Sequence, residues 1–389
     1  MSRTVVGASA LGAGLARRRR RRWVRGGAGV VALVVVGAGI AGWVAYAKLD
    51  GNITPDEAAA RELERYAKER PTALVKDARN ILLIGSDSRA GAGNRAYGKD
   101  SGTERSDTTI LLHLAAGRRS ATAVSLPRDL MVDVPSCRQA DGTRTKPMFA
   151  MFNYAFQKGG SACTIRTVEK LTGIRIDHHM VVDFSGFKEM VDAVDGVRVC
   201  LKEPIEDKDA KLRLPAGRVT LNGEQALGYV RARKTLGNGS DTDRMDRQQR
   251  FLGALVNKAQ SNDVLLNPAK LYPVLDAATS SLTTDPGLAS LRGLYNLVRG
   301  LRDIPTDQVR FLTVPREAYA LNANRDQLVE PAAEKLFTRL RTDAPVAVTE
   351  KEDAAASSAA EPEEHGTHTS PPPAEPTFRG NTAAEDTCG

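Results

Sequence analysis

Gly26 to Ala47 runs 22 residues without a charged side chain, shortly after six consecutive arginines at Arg17–Arg22. A helix needs about 20 apolar residues to cross the hydrocarbon core of a bilayer. The run is rich in glycine and alanine, but its valines with Ile40, Trp43 and Tyr46 supply the hydrophobicity. The competing reading is a cleaved signal peptide; the stretch is long for one, and no small-residue cleavage site follows it. The sequence therefore predicts a basic cytoplasmic segment at 1–25 and a single transmembrane helix at 26–47. The arginine cluster keeps the amino terminus inside and places everything after Lys48 outside the cell.

That topology changes the meaning of the net charge of +8. The first 47 residues hold eight arginines and no acid, while the last 46 are strongly acidic, so the region between them is basic in its own right. A basic domain usually suggests nucleic acid. Outside the cell the matching polyanions are lipid phosphates and surface polymers, so no nucleic-acid partner is expected, and residues 1–25 are too short for a folded DNA reader. Cysteine usage fits the same compartment. Cys137 and Cys163 flank a polar loop that an exported domain can close by a disulfide, although four cysteines, with Cys200 and Cys388, allow three full pairings. Cys200 ends an apolar strand and can equally be core.

Beyond the span, a charged stretch around Glu57–Arg70 reads as a helical stalk at 48–78. A folded domain is expected at 79–344. "NILLIG" (Asn80–Gly85), "TTILLHL" (Thr108–Leu114) and "ATAVS" (Ala121–Ser125) read as strands, the last two joined by a turn at Gly117. One helix is expected before Lys158-Gly159-Gly160, and a second from Ala162 to Leu171, with Gly173 as its stop. "HHMVVDF" and "VRVCL" bracket an amphipathic helix ending at Gly196. Helices follow at Asp246–Gln260, Pro268–Ser280 and Leu288–Arg302, then a strand at Val309–Val314 and a last helix near Arg325–Leu340. Strands alternating with helices and hairpins predict an α/β domain, layered around a mixed sheet. From Pro345 onward, large apolar residues are too few to offset the entropy of ordering, so 345–389 is expected to be disordered.

Polar clusters interrupt this apolar pattern at four places. "GSDSRAG" carries Asp87 and Arg89, "TERSDTT" carries Arg105 and Asp107, and "SLPRDL" carries Arg128 and Asp129. The fourth, "ALGYVRARKTLGNGSDTDRMDRQQ", carries Arg231, Arg233, Asp243, Arg244, Asp246, Arg247 and Gln248. Each alone reads as a surface ion pair. Together, just beyond strand ends where open sheets gather ligands, they suit one phosphate site. Guanidinium forks match phosphate oxygens in pairs and stay charged. Magnesium (Mg2+) prefers a few carboxylates plus substrate phosphate oxygens, which suggests Asp87 and Asp107 as its ligands. The chain has no nucleophile elbow, Walker loop or dinucleotide fingerprint. His178 and His179 lie in a strand pattern and read as packing residues. The stripe "KPMFAMFNYAF" (Lys146–Phe156) reads as core, with lining a lipid groove as its functional alternative.

In this order and behind one span, "NILLIGSDSR", "RSDTTILLHL", "VSLPRDL", "FNYAFQKGG", "IDHHMVVDFSGFKEMVDAVDGVRV", "LNGEQALGYVRAR" and "DTDRMDRQQ" resemble the LytR-CpsA-Psr family of cell-wall glycopolymer transferases, in its actinobacterial type. The resemblance implies a layered α-β-α domain with a hydrophobic lipid-binding pocket. It implies transfer of an undecaprenyl-pyrophosphate-linked anionic glycopolymer onto peptidoglycan as a phosphodiester, at the surface of the lipid bilayer. By position it implies Asp87, Asp107 and Arg128 as catalytic residues, the two aspartates holding Mg2+. Arg89, Arg105, Arg231, Arg233, Arg244 and Gln248 would bind the pyrophosphate. Where the family often has a lysine, this chain has Met151, with Lys146 as the nearest substitute. Two alternatives are a polyprenyl-pyrophosphate phosphatase using the same site with water, and a non-catalytic envelope regulator or lipid-binding protein.

Overall fold

The computed structural model describes residues 33–86, 106–207, 210, 212–232, 241–261, 268–349 and 376–385, without the side chains of 241–243 and 268–270. Two units divide at Gly51. The described part of the first belongs to helix α1 (Leu33–Asn52), which is long and apolar enough to cross a membrane and ends one residue past that boundary. The second begins with β1 (Thr54–Pro55), α2 (Glu57–Arg65) and the three strands β2 (Arg79–Ser86), β3 (Ser106–Leu114) and β4 (Ala121–Leu126). A hairpin of β5 (Met131–Val134) and β6 (Met148–Met151) leads into α3 (Asn153–Thr172), β7 (His178–Val182) and α4 (Phe184–Ala193). Four short strands follow, β8 (Val197–Leu201), β9 (Ile205–Asp207), β10 (Leu212–Leu214) and β11 (Gly217–Leu221), then α5 (Gly223–Arg231), α6 (Asp241–Ala259) and α7 (Pro268–Ser280). The chain continues through β12 (Leu282–Thr284), α8 (Leu291–Arg302), β13 (Val309–Thr313), β14 (Arg316–Tyr319) and β15 (Asn322–Leu328). It ends with α9 (Ala332–Arg341), β16 (Ala347–Thr349) and β17 (Thr377–Thr382).

Nine strands form one sheet in the order β1-β12-β7-β2-β3-β4-β13-β17-β16. It is mixed: β2 and β3 pair antiparallel, while β2 with β7 and β4 with β13 pair parallel. Period-two alternation then sorts each strand's side chains to opposite faces. Leu82, Leu111, Val124 and Leu312 pack with Val168 of α3 and with Leu336, Phe337 and Leu340 of α9. Their neighbours Ile81, Ile110, Ala123 and Phe311 pack on the other face against Leu252 and Val256 of α6 and Leu297 and Leu301 of α8. Both faces of the sheet are covered, which makes a three-layer α-β-α domain and bears out the α/β domain around a mixed sheet expected from the pattern.

Local signals behave as the sequence predicts around α3. The helix is broken at Gly159 and Gly160, the latter at φ 59°, and Gly173 (φ 64°) caps it in the left-handed region. Only glycine fits at 159, because a β-carbon there would lie 2.8 Å from Cβ of Cys163 and 3.0 Å from Cβ of Cys137. Those two cysteines are joined by a disulfide, and no described cysteine is a free thiol.

Elsewhere the fold departs from expectation. The segment expected as a stalk supplies β1, which pairs with β12 in the main sheet, and α2, whose Ala59 and Leu63 join the core. The tail expected to be disordered returns as β17 between β13 and β16. Pairing with β13 provides backbone partners that composition cannot register. The last helix starts at Ala332, not near Arg325, because Pro331 lacks the N–H needed to carry a helix through it. The aromatic stripe is largely core, with Phe152 fully buried and Phe156 nearly so, while Phe149 is exposed.

His178 and His179 are held by carboxylates. Nδ1 of His178 lies 3.1 Å from Asp285, and Nε2 of the buried His179 lies 3.2 Å from Asp56. Asp56 also caps α2 by accepting from the Ala59 amide. Burial pushes both carboxyls up, but hydrogen bonds from the histidines and from backbone amides outweigh it and leave both below the ordinary 3.8. A carboxyl with a depressed folded pKa stabilises the fold above its unfolded value and loses that contribution as pH falls through the folded one. Urea midpoints should therefore hold at neutral pH and fall once pH drops below 3.8, with Asp285→Asn flattening part of that fall. An identical acid profile for the variant would remove Asp285 from this account.

Candidate functional site

The β2–β3 ladder slips between Gly85 and Ser86, so that Ser86 pairs with Ser106 and Gly85 with Thr108. Asp107 is the extra residue of that bulge. Bulges re-aim side chains beside functional sites, and Asp107 faces a cavity of about 610 Å³. Arg128 reaches the same cavity from the turn after β4. Its Nη1 donates to Oδ1 of Asp107 at 2.9 Å and its Nε to Oδ2 of Asp129 at 3.2 Å. The backbone of this turn is fixed independently: the Asn153 amide donates to the Arg128 carbonyl, and the Asp326 amide to that of Asp129. The guanidinium is therefore aimed before any ligand arrives.

Helix α5 opens with a reciprocal capping box between Asn222 and Gln225. Gly223 lets it close on the backbone of α4 at Lys188, and its amide donates to Asp192 at 2.7 Å. This docking brings Arg231, at the last turn of α5, into the cavity with its guanidinium 4.6 Å from the Phe184 ring of α4. From α6, Arg244, Gln248, Phe251 and Leu252 follow at helical spacing and line the same space. The Gln248 amide donates to the Val230 carbonyl at 3.1 Å. Buried Arg247 donates to the Ala232 carbonyl, tying α6 to the end of α5. Apolar walls come from Val182, Phe184, Phe187, Leu227, Val230 and Phe251.

Five of the sequence-predicted residues thus meet at one cavity: Asp107, Arg128, Arg231, Arg244 and Gln248. Asp87, Arg89, Arg105 and Arg233 lie outside the described residues. Lys146 and Met151 are not among the lining residues, and neither is any residue of the Lys146–Phe156 stripe, so that stripe does not form the greasy wall. Sequence reasoning missed Asp183, Asp207 and Glu224, which also line the cavity. Asp183 caps α4 through the Gly186 amide and Asp207 holds the Ala210 amide. In sequence they look like ordinary turn and cap residues.

Three guanidiniums and an amide in one cavity with apolar walls suit an anionic head on a hydrophobic tail. Residues 51–342 match the LytR_cpsA_psr family. The chain belongs to the LytR-CpsA-Psr family. It is 39% identical over 214 residues to the probable cell wall biosynthesis protein LcpB of Corynebacterium glutamicum, covering 54% of this chain and 48% of that protein. The chain thus spans about half the length of this relative. It is 28% identical over 323 residues to the polyisoprenyl-teichoic acid–peptidoglycan teichoic acid transferase TagT of Bacillus subtilis, covering 81% of this chain and 94% of that one. The crystal structure of B. subtilis TagV superposes with a TM-score of 0.54 at 26% identity, covering 70% of this chain and 100% of that one. The layered fold implied by the family resemblance is the fold found.

Proposed function

We propose that this protein transfers an anionic glycopolymer from an undecaprenyl-pyrophosphate carrier to peptidoglycan, forming a phosphodiester outside the membrane. The observation that carries this reading is the meeting of Asp107, Arg128, Arg231, Arg244 and Gln248 in one cavity with apolar walls. The name of TagT supports it, since it states a polyisoprenyl-linked polymer as donor and peptidoglycan as acceptor. In the proposed reaction an acceptor hydroxyl oxygen bonds to the polymer-side phosphorus. The bridging P–O bond breaks, its electron pair leaves with the lipid monophosphate, and that product carries one proton in exchange for the hydroxyl's. The three arginines bind the phosphate oxygens directly and compensate the charge that gathers on the leaving group. The apolar walls hold the first isoprenoid units and keep water from competing as acceptor.

Among the described residues, no group of three or more His, Cys, Asp or Glu side chains is placed to enclose a metal ion. Asp107 lines the cavity beside the arginines, and a carboxylate there suits Mg2+ held chiefly by substrate phosphate oxygens. Asp107 would contribute one carboxylate and Asp87 the second. When bound, the ion neutralises charge on the diphosphate.

The test is product analysis. Full-length protein in lipid nanodiscs is incubated with a polyprenyl-pyrophosphoryl oligosaccharide and uncrosslinked peptidoglycan oligomers. The expected product is glycan carrying the polymer through one phosphate, with polyprenyl monophosphate released in equal amount. Release of soluble phosphorylated oligosaccharide alone would replace the transferase by a phosphatase.

A further inference from the structure

Helix α8 (Leu291–Arg302) is amphipathic in an unusual place. Its inner face packs through Leu294 against Ile53 and Leu288 in a small cluster of its own, with Leu297 alongside. Ile53 is the residue directly after Asn52, where the membrane-length helix α1 ends. The inner face of α8 is therefore fixed to the first residue beyond helix α1, six residues past the end of the expected span, and packed helices and chains lie within about 10 Å of one another. The outer face exposes Arg292, Tyr295, Asn296, Val298, Arg299 and Arg302, with Tyr295 61% and Val298 55% accessible. No acidic residue lies within the helix. Arg118 extends the basic surface at its far end, lying close to Gly300, where a β-carbon would meet its Nε at 3.3 Å. Exposed Arg119 follows. The aliphatic exposure on this helix is interleaved with guanidiniums rather than gathered into a dry patch, which does not resemble the apolar centre of a protein interface.

We propose that α8 lies on the membrane as a second, electrostatic contact with anionic phospholipid headgroups, next to the span. Arginines pair with lipid phosphates, while Tyr295 and Val298 enter the headgroup layer between them, as interfacial helices do. The partner is set by charge and by chain continuity: a cationic face with tyrosine at its centre belongs to the helix packed on Ile53, the residue that follows α1. A domain tethered at one point can pivot freely. A second contact removes that pivot and holds the domain in one attitude to the lipid surface. The proposal stands whether or not the transferase reading does.

The test uses the full-length chain in nanodiscs containing a photoactivatable phospholipid, with crosslinked peptides mapped by mass spectrometry. Labelling of α1 serves as the internal standard. In phosphatidylglycerol-containing discs, crosslinks are expected on 291–302. Each arginine near an anionic surface is worth about a fivefold change in binding, so in pure phosphatidylcholine, or in the R292E/R299E/R302E variant, α8 labelling should fall by about 10²-fold relative to α1. Raising salt to about 1 M, where the screening length is about 3 Å, should lower it too. A second variant, Y295S/V298S, keeps the charge and should lower α8 labelling less than the charge reversal does. Unchanged melting curves confirm that the variants fold. If α1 labels normally while α8 stays unlabelled in anionic discs, or labels equally in neutral ones, the proposal is overturned.

Discussion

Replacing Arg128 by alanine is expected to slow glycopolymer transfer about 10²–10³-fold, the loss of about 3–4 kcal/mol seen when one preorganised charge-stabilising donor is removed. The fold should survive. The Arg128 side chain is 24% exposed, and the turn that carries it is held through its backbone by the amides of Asn153 and Asp326. Melting temperature should therefore stay close to wild type while kcat falls. Arg128→Lys keeps the charge but loses the fork that reaches Asp107 and Asp129 together, so it should recover only part of the rate. Because Arg128 and Asp107 are in contact at 2.9 Å, the double variant should lose less than the sum of the single ones. A variant that turned over donor and acceptor like wild type would take Arg128 out of the reaction.

How much of this was legible beforehand depended on the kind of information each residue carries. The strands from Asn80, Thr108 and Ala121 announced themselves because buried strands are apolar on both faces, and here both faces are covered. Gly173 ended a helix because the left-handed cap it supplies is a local property. The polar clusters could be grouped into one site because each falls just after or before a strand, and strand ends meet on one side of a sheet. The bulge that turns Asp107 toward the cavity was not legible, since a slipped register depends on how two distant segments pair. Nor were Asp183 and Asp207, whose bonds to nearby amides give them the appearance of turn residues. The carboxyl-terminal strand was the largest miss. Thr377–Thr382 contains a single large apolar residue, Phe378, and its order comes from neighbours far away in the chain.

That strand yields the second large effect. Phe378 is 6% exposed and belongs to the same core cluster as Leu312, Phe337 and Val348. Truncating a buried phenylalanine to alanine costs about 3–5 kcal/mol, so Phe378→Ala should lower the melting temperature by roughly 10 °C in a domain of this size. Gly380 should be less tolerant still, because any β-carbon there would collide with the Phe311 carbonyl while lying 3.0 Å from Leu312 and 3.1 Å from Val348. The consequences reach the site through α6. Arg379 pairs with Asp246, and Asn257 donates to the Ala383 carbonyl, both from the side of α6 facing β17. The same helix presents Arg244 and Gln248 to the cavity. Ending the chain after residue 375 removes every one of these contacts at once. It should raise KM for the lipid-linked donor even well below the melting transition, where the protein is still folded. Arg379→Ala separates the two effects: it removes one brace from α6 and leaves Phe378 in the core. It should raise donor KM with a small change in melting temperature. A destabilised truncation with normal donor KM would mean that β17 supports the sheet but not the placement of α6.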